Sequence, residues 1–245
     1  MAVTTPTPAA HVARARAPRI SERAYWANIR YLVFGRAVPA ILFGFMGWLQ
    51  ITRAVSLLPG ATTRVALLDV TPRMLYAAFC CIPVALYLTR PKPQARDGRL
   101  IARAAAFSGT TMQLVVGAFV PSGVLLVTMP DWVGAVGTVM VAGAWCFAIY
   151  GMAYLRRSLS IIPEARRLVT GGPYRLVRHP LYLAEISAAV AIVLGSPRLV
   201  PAAALLVFVA MQVVRTRFEE RLLADNFPEY RSYAARTHRL IPGVW

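Results

Sequence analysis

Long apolar runs alternate with short polar segments along most of this 245-residue chain. A helix needs about 20 residues to cross a hydrocarbon layer roughly 30 Å thick. Six runs approach or exceed that length, and they lie near residues 38–57, 66–89, 104–128, 133–154, 181–196 and 199–214. The pattern predicts an all-α integral membrane protein with about six transmembrane helices.

The last two runs are short, and only Gly195, Ser196, Pro197 and Arg198 separate them. Glycine and proline so close together are typical of a turn. We therefore predict that the last two transmembrane helices form a tight hairpin.

An apolar stripe continues beyond the sixth run, because Phe218 and Leu222 are four residues apart and Leu223 follows. This spacing predicts that the helix leaves the membrane and continues along its surface. Pro228 should interrupt that helix and begin a short final one. The sequence thus predicts a cytoplasmic C-terminal helical segment.

Composition and charge support a membrane protein. Hydrophobic residues make up 58% of the chain and charged residues only 15%, and the net charge of +17 is spread between apolar runs rather than gathered on one soluble face. That distribution argues against a nucleic-acid partner. Four segments, 1–37, 90–103, 155–180 and 215–245, hold 23 of the 27 basic residues. The positive-inside rule then predicts a multi-pass protein of the plasma (inner) membrane with both termini in the cytoplasm.

The sequence divides into three regions. Residues 1–30 predict a flexible basic N-terminal arm, and they lack the apolar segment of a signal peptide. Residues 31–154 hold the first four predicted transmembrane helices. Residues 155–245 hold the last two helices and most of the chemically distinctive residues, so we predict that they form the catalytic and cofactor-binding region. The three cysteines lie in apolar runs and have no metal-binding spacing.

The most distinctive segment, 171–182, places glycines, tyrosines and cationic groups directly before the fifth apolar run. Gly171 and Gly172 permit a tight turn or a close approach of the backbone to a ligand, and a proline at position 180 suits the first turn of a helix. His179 is then the expected N-cap. Because the start of a helix attracts anions, a ligand carboxylate or phosphate can rest there, beside His179 and Arg178.

A second polar cluster, Glu219 and Glu220, lies at the end of the sixth run. Two adjacent carboxylates in a strongly basic chain can neutralise a cationic ligand or bind sugar hydroxyls. They can equally form salt bridges with Arg215, Arg217 or Arg221. Both interpretations stay open at the level of sequence.

Together these features resemble the isoprenylcysteine carboxyl methyltransferase family, which is related to the phospholipid methyltransferases. The resemblance covers roughly residues 155–242, and the first four helices match only in being hydrophobic. It rests on the runs 168–174 and 178–182, on Glu219-Glu220, on Phe227-Pro228-Glu229-Tyr230, and on Tyr233, Arg236 and Ile241-Pro242. Members of the family are membrane enzymes that use S-adenosylmethionine, so the resemblance implies that cofactor here.

The resemblance also implies roles for particular residues. Arg236 corresponds to an arginine at the methyl-acceptor end of the site. The residues that the resemblance implies for cofactor binding are Val169, Gly172, Tyr174, His179, Pro180, Tyr182, Glu219 and Glu220. Two departures from the family pattern, at Ala184-Glu185 and at Phe227-Pro228-Glu229-Tyr230, lie near the acceptor side.

Methyl transfer from a sulfonium requires mainly positioning and a dry site. A carboxylate acceptor needs an arginine to hold it, and Arg236 can do this with two parallel hydrogen bonds. An amine or thiol acceptor must lose a proton, and His179 or Glu220 is then the candidate base. The expected partner is a lipophilic small molecule or lipidated substrate that enters from the bilayer, and membrane lipids surround the protein.

Two other functions remain open. A reductase of the sterol-reductase kind carries similar Arg-His-Pro and Tyr patterns but binds NADPH, whose phosphates the pair Glu219 and Glu220 would oppose. A non-catalytic membrane scaffold or transporter would use the segment 171–182 only for topology and helix capping.

Overall fold

The computed structural model describes residues 22–118 and 124–243. Most of the predicted N-terminal arm therefore lies outside the described residues. Within them the chain is mostly helical. Four helices are long and apolar enough to cross a membrane, namely Trp26–Leu57, Leu68–Thr89, Asp131–Ser158 and Leu199–Asn226.

The helices follow one another with short connections. The first long helix consists of α1 (Glu22–Leu32), a π-helical turn (Val33–Ala37) and α2 (Val38–Leu57). The second consists of α3 (Thr63–Val65), another π-helical turn (Ala66–Val70) and α4 (Thr71–Thr89). The remaining helices are α5 (Leu100–Ala118), α6 (Asp131–Leu155), α7 (Pro180–Gly195), α8 (Leu199–Asn226) and α9 (Tyr230–Ala234).

The six predicted spans are confirmed only in part. The predicted span 38–57 coincides with α2. The third span, predicted at 104–128, begins earlier, at Leu100, and residues 124–130 are not helical. Instead the amide of Leu126 donates to the carbonyl of Pro197 at 2.9 Å. With 16 residues, α7 is shorter than the length that a transmembrane helix needs.

The helices pack chiefly as pairs: α2 with α4, α5 with α8, and α6 with α7, while α4 also contacts α6. The tight hairpin of α7 and α8 is not confirmed, because each helix packs mainly on another partner. Small residues bring α6 and α7 together: a Cβ on Gly137 would lie 3.0 Å from the carbonyl oxygen of Ala191. Such small-residue contacts allow close helix packing inside membranes.

One end of the helix bundle is tied together by a buried polar cluster around Glu164. Two short antiparallel strands, β1 (Ala95–Arg96) and β2 (Glu164–Ala165), pair there. The carboxylate of Glu164 forms salt bridges with Arg96 at 2.5 Å, Arg166 at 2.7 Å and Arg90 at 3.4 Å. Three arginines around one buried carboxylate hold the connection before α5 against the connection after α6.

Candidate active site

The connection between α6 and α7 makes a tight turn that requires glycine. Gly172 has a φ of +57°, in the left-handed region. A Cβ at this position would also lie 2.6 Å from the ring of Tyr154. The turn continues as a short 3₁₀ helix, Gly172–Arg175. The prediction of a tight turn at these glycines is confirmed.

His179 is the residue before the first turn of α7, as the sequence predicts, and Pro180 begins the helix. Its side chain makes no capping hydrogen bond. The ring of His179 instead stacks on Tyr182, with ring centroids 5.4 Å apart and an interplanar angle of 3°. Its Nε2 lies 3.2 Å from Oε1 of Glu220. The imidazole is therefore held between α7 and α8.

Both oxygens of Glu220 are engaged by cationic groups. Oε1 accepts from Nε of Arg178 at 2.8 Å. Oε2 accepts from Nε and Nη2 of Arg239 at 2.9 and 2.6 Å. The arginines that form these salt bridges with Glu220 are therefore not the ones that the sequence suggested, which were Arg215, Arg217 and Arg221. These salt bridges also correct the prediction of a ligand anion site beside Arg178 and His179, because the carboxylate of Glu220 lies there.

The segment after α9 is fastened to the same loop by backbone hydrogen bonds. The amide of Arg178 donates to the carbonyl of His238 at 2.8 Å, and that of His179 donates to the carbonyl of Arg239 at 3.2 Å. Val177 and His238 form an isolated parallel bridge. In addition, Nη1 of Arg178 donates to the carbonyl of Ala234 at 2.7 Å. The loop before α7 and the chain after α9 thus form one unit.

Glu219 faces a cavity beside this unit and accepts a hydrogen bond from the hydroxyl of Tyr182. The cavity has an empty volume of about 1120 Å³, including the part that is open to solvent. Polar residues that line it include Tyr174, Arg178, His179, Tyr182, Glu219 and Tyr233. The helices contribute an apolar lining that includes Phe43, Phe79, Pro83, Met152 and Leu181. One cavity therefore has both a polar and an apolar wall.

Three tyrosines form much of the polar wall. The hydroxyl of Tyr233 donates to the carbonyl of Tyr174 at 2.7 Å. Burial raises the pKa of Tyr174 and Tyr230 well above the usual value, and it raises the pKa of Tyr233 to about 12. All three phenols are therefore neutral at physiological pH. Among the described residues, no hydrogen-bond partner is found for the buried hydroxyl of Tyr230, whose side chain also lines the cavity.

Three polar side chains of α7 and α8 are linked by hydrogen bonds next to the cavity. Nε2 of Gln212 donates to Oε2 of Glu185 at 2.5 Å. Oε1 of the same amide accepts from Nη1 of Arg215 at 2.9 Å. The guanidinium of Arg215 stacks over the ring of Tyr182 at 4.5 Å. Glu185 and Arg215 both line the cavity.

The structure brings most of the sequence-predicted site residues together. Val169, Tyr174, His179, Tyr182 and Glu219 line the cavity. Gly172, Pro180 and Glu220 lie beside these residues and set their positions.

Arg236 is the predicted residue that the structure does not bring to the cavity. It is exposed after α9, and its Nε donates to the carbonyl of Ser232 at 3.1 Å. The sequence analysis did not identify Arg239 as a partner of Glu220, nor Glu164 as the buried carboxylate that pairs with three arginines. No spacing along the chain indicates that Arg239 meets Glu220, because the turn after α9 creates that contact.

Much of the part of the chain that forms this site matches a known protein family. Residues 132–230 match the model of the phospholipid methyltransferase family, a stretch that runs from α6 to the start of α9. The match confirms the resemblance to this group of proteins and supports a membrane methyltransferase in general.

Two bacterial relatives are similar over part of the chain. The Nickel-cobalt-cadmium resistance protein NccN of Alcaligenes xylosoxydans xylosoxydans is 39% identical over 80 residues, which is 32% of this chain and 38% of the relative. The Cobalt-zinc-cadmium resistance protein CzcN of Cupriavidus metallidurans is 41% identical over 76 residues, which is 31% of this chain and 35% of the relative. The alignments thus span little more than a third of these relatives.

Proposed function

We propose that this protein is an S-adenosylmethionine-dependent methyltransferase that acts on a lipophilic acceptor. The observation that carries the proposal is the shared cavity, in which the motif residues Tyr174, His179 and Tyr182 and the carboxylate of Glu219 adjoin an apolar wall built by the helices. The site would face the cytoplasm from the plasma (inner) membrane, in agreement with the distribution of basic residues.

The residues present fit the cofactor. A carboxylate at Glu219 and a buried hydroxyl without a described partner at Tyr230 suit the cationic and hydrogen-bonding groups of S-adenosylmethionine. Val169, Tyr174, His179, Tyr182 and Glu219 are the residues that would hold it. When bound, the cofactor supplies a methyl group already activated by a positively charged sulfur.

The chain then has to position the acceptor and exclude water. The apolar wall, with Phe79 from α4 and Met152 from α6, suits the hydrocarbon part of a lipophilic acceptor. Because these helices border lipid, we propose that the acceptor enters sideways from the bilayer. Burial of the reacting groups strengthens the electrostatic interactions that orient them.

The NADPH alternative is less well supported. The carboxylate of Glu219 lines the cavity, and the carboxylate of Glu220 already neutralises Arg178. A nucleotide pyrophosphate would therefore meet the negative charge of Glu219, while Arg178 and Arg239 are already paired with Glu220.

Calorimetric titration of the purified protein with S-adenosylhomocysteine tests the proposal. Glu219→Gln removes the charge but keeps the size of the side chain, and it should weaken binding about 10- to 100-fold, the usual effect of losing a charge-assisted hydrogen bond. Glu229→Gln, at an exposed position outside the cavity lining, should leave the affinity unchanged. Equal affinities for all three proteins, or binding of NADPH instead, would contradict the proposal.

A further inference from the structure

Glu185 is a carboxylate within the cavity that the proposed cofactor site does not use. It lies on α7, three residues after Tyr182 and therefore about one turn deeper along the same side of the helix. Oε2 accepts from Gln212 at 2.5 Å. Among the described residues, no donor contacts Oε1, and the side chain lines the cavity.

Several polar and charged groups face Glu185 from the helices around it. The side-chain amide of Gln212 lies between Glu185 and Arg215, because it donates to Glu185 and accepts from Arg215. This arrangement stabilises the carboxylate without occupying its second oxygen. The titratable groups that act on Glu185 are Arg215 and Glu219 from α8, Tyr182 from α7, and Tyr76 and Cys80 from α4.

The other candidate proton acceptors are already engaged. Glu220 accepts from Arg178 and Arg239 through both oxygens. His179 directs Nε2 at that same carboxylate, at 3.2 Å. Glu219 accepts from Tyr182 through Oε1, and its Oε2 lies 3.8 Å from Nδ1 of His179, whereas a hydrogen-bond donor is described only for Oε2 of Glu185. A proton acceptor beside the apolar wall is therefore best supplied by Glu185.

We propose that Glu185 is a catalytic residue that takes the proton from the methyl acceptor, and that the acceptor is an apolar molecule with a neutral thiol, amine or phenol. This inference rests on the proposed function. The new bond joins the acceptor heteroatom to the methyl carbon, and the methyl–sulfur bond breaks with its electron pair left on sulfur. The heteroatom's proton passes to Oε1 of Glu185, so charge and atoms balance.

The same geometry disfavours a carboxylate acceptor. A carboxylate has no proton to lose, so it gives Glu185 no role. It would also bring a second negative charge close to Glu185 in a low-dielectric cavity, where like charges repel strongly. Glu185 thus selects between classes of acceptor.

Binding of three probes with the same ten-carbon tail tests this selection without turnover. Decanethiol, 4-decylaniline and decanoate are titrated into the purified protein saturated with S-adenosylhomocysteine. Decanethiol and 4-decylaniline, both neutral at physiological pH, should each bind at least about tenfold more tightly than decanoate, a difference of about 1.4 kcal/mol. Glu185→Gln should bring that ratio close to one, whereas Glu185→Asp and the exposed control Asp225→Asn, outside the cavity lining, should keep it.

Three results would contradict either the role of Glu185 or the proposed function. Decanoate binding as well as or better than the other two probes in the unmodified protein would overturn the inference, even if Glu185→Gln did not fold. An unchanged ratio in a folded Glu185→Gln variant would overturn it too. Failure of S-adenosylhomocysteine to bind the unmodified protein would instead refute the proposed function, so the two failures are distinguishable.

Discussion

At the scale of single residues, two adjacent carboxylates have different tasks. Consecutive residues of a helix point about 100° apart, so Glu219 faces the cavity while Glu220 faces Arg178 and Arg239. The sequence identifies the pair as important. It does not identify the partners, because Arg178 and Arg239 lie 42 and 19 residues away from Glu220.

Glu164 leads to a prediction at this scale, which concerns acid stability. Burial alone would raise the pKa of its carboxyl, but Arg90, Ser160, Arg96 and Arg166 together outweigh burial and lower it. A carboxyl with a depressed folded-state pKa stabilises the fold above its unfolded pKa, and this stabilisation is lost as the pH falls through the folded value. The thermal midpoint in detergent should therefore fall once the pH drops below about 4.5.

Glu164→Gln provides the comparison for that measurement. Without the carboxylate, three clustered arginines lose their common partner, which should cost about 3–5 kcal/mol at neutral pH. The acid-dependent part of the decline in midpoint should shrink in the variant, whereas Glu229→Gln should behave like the unmodified protein. Parallel pH profiles for Glu164→Gln and the unmodified protein would show that this cluster does not set acid stability.

At the scale of secondary-structure elements, apolar runs predict where helices lie but not which helices pack together. The bounds of α2 agree with the prediction, and α6 and α7 differ from it by only one or two residues. The predicted hairpin of α7 and α8 is not confirmed, because α7 packs mainly on α6 and α8 mainly on α5, although only three residues connect α7 to α8. The close approach of Gly137 to Ala191 lies at the interface of α7 with α6.

Two neighbouring glycines in the loop before α7, Gly171 and Gly172, should differ in how much stability is lost when each is replaced by alanine. Gly172→Ala adds a Cβ that would lie 2.6 Å from the ring of Tyr154, at a φ of +57°. We expect a loss of about 1–3 kcal/mol in the free energy of unfolding and weaker binding of S-adenosylhomocysteine. Gly171→Ala is the matched control, since its Cβ would lie 3.4 Å from Tyr154 and its φ of −92° suits any residue. Equal stability of the two variants, measured by thermal unfolding, would contradict this account.

At the scale of the whole molecule, the basic segments predicted to share one side of the membrane do meet. Arg96 contacts Glu164, Arg99 lies over the ring of Phe218, and Arg178 contacts Glu220. Charge distribution alone could anticipate this gathering because it reflects topology. The buried contacts themselves depend on tertiary packing, which charge counts do not encode.

The proposed orientation can be tested by labelling in intact cells. Ser232→Cys lies at the exposed surface of α9, and Pro59→Cys lies in the connection after α2, also exposed. A membrane-impermeant maleimide should label the second from outside, and label the first only after lysis. The unmodified protein, with Cys80, Cys81 and Cys146, measures the background. External labelling of Ser232→Cys would reverse the orientation.

The length of α7 has a consequence for the lipid around the protein. Its 16 residues measure about 24 Å along the helix axis, less than the ~30 Å hydrocarbon thickness of a typical bilayer. A helix of this length that crosses a bilayer is accommodated by local thinning of the bilayer or by flanking side chains that extend to the interface, at a cost that rises with the mismatch. Bilayer thickness would then influence the position of the residues at the start of this helix, including His179 and Tyr182.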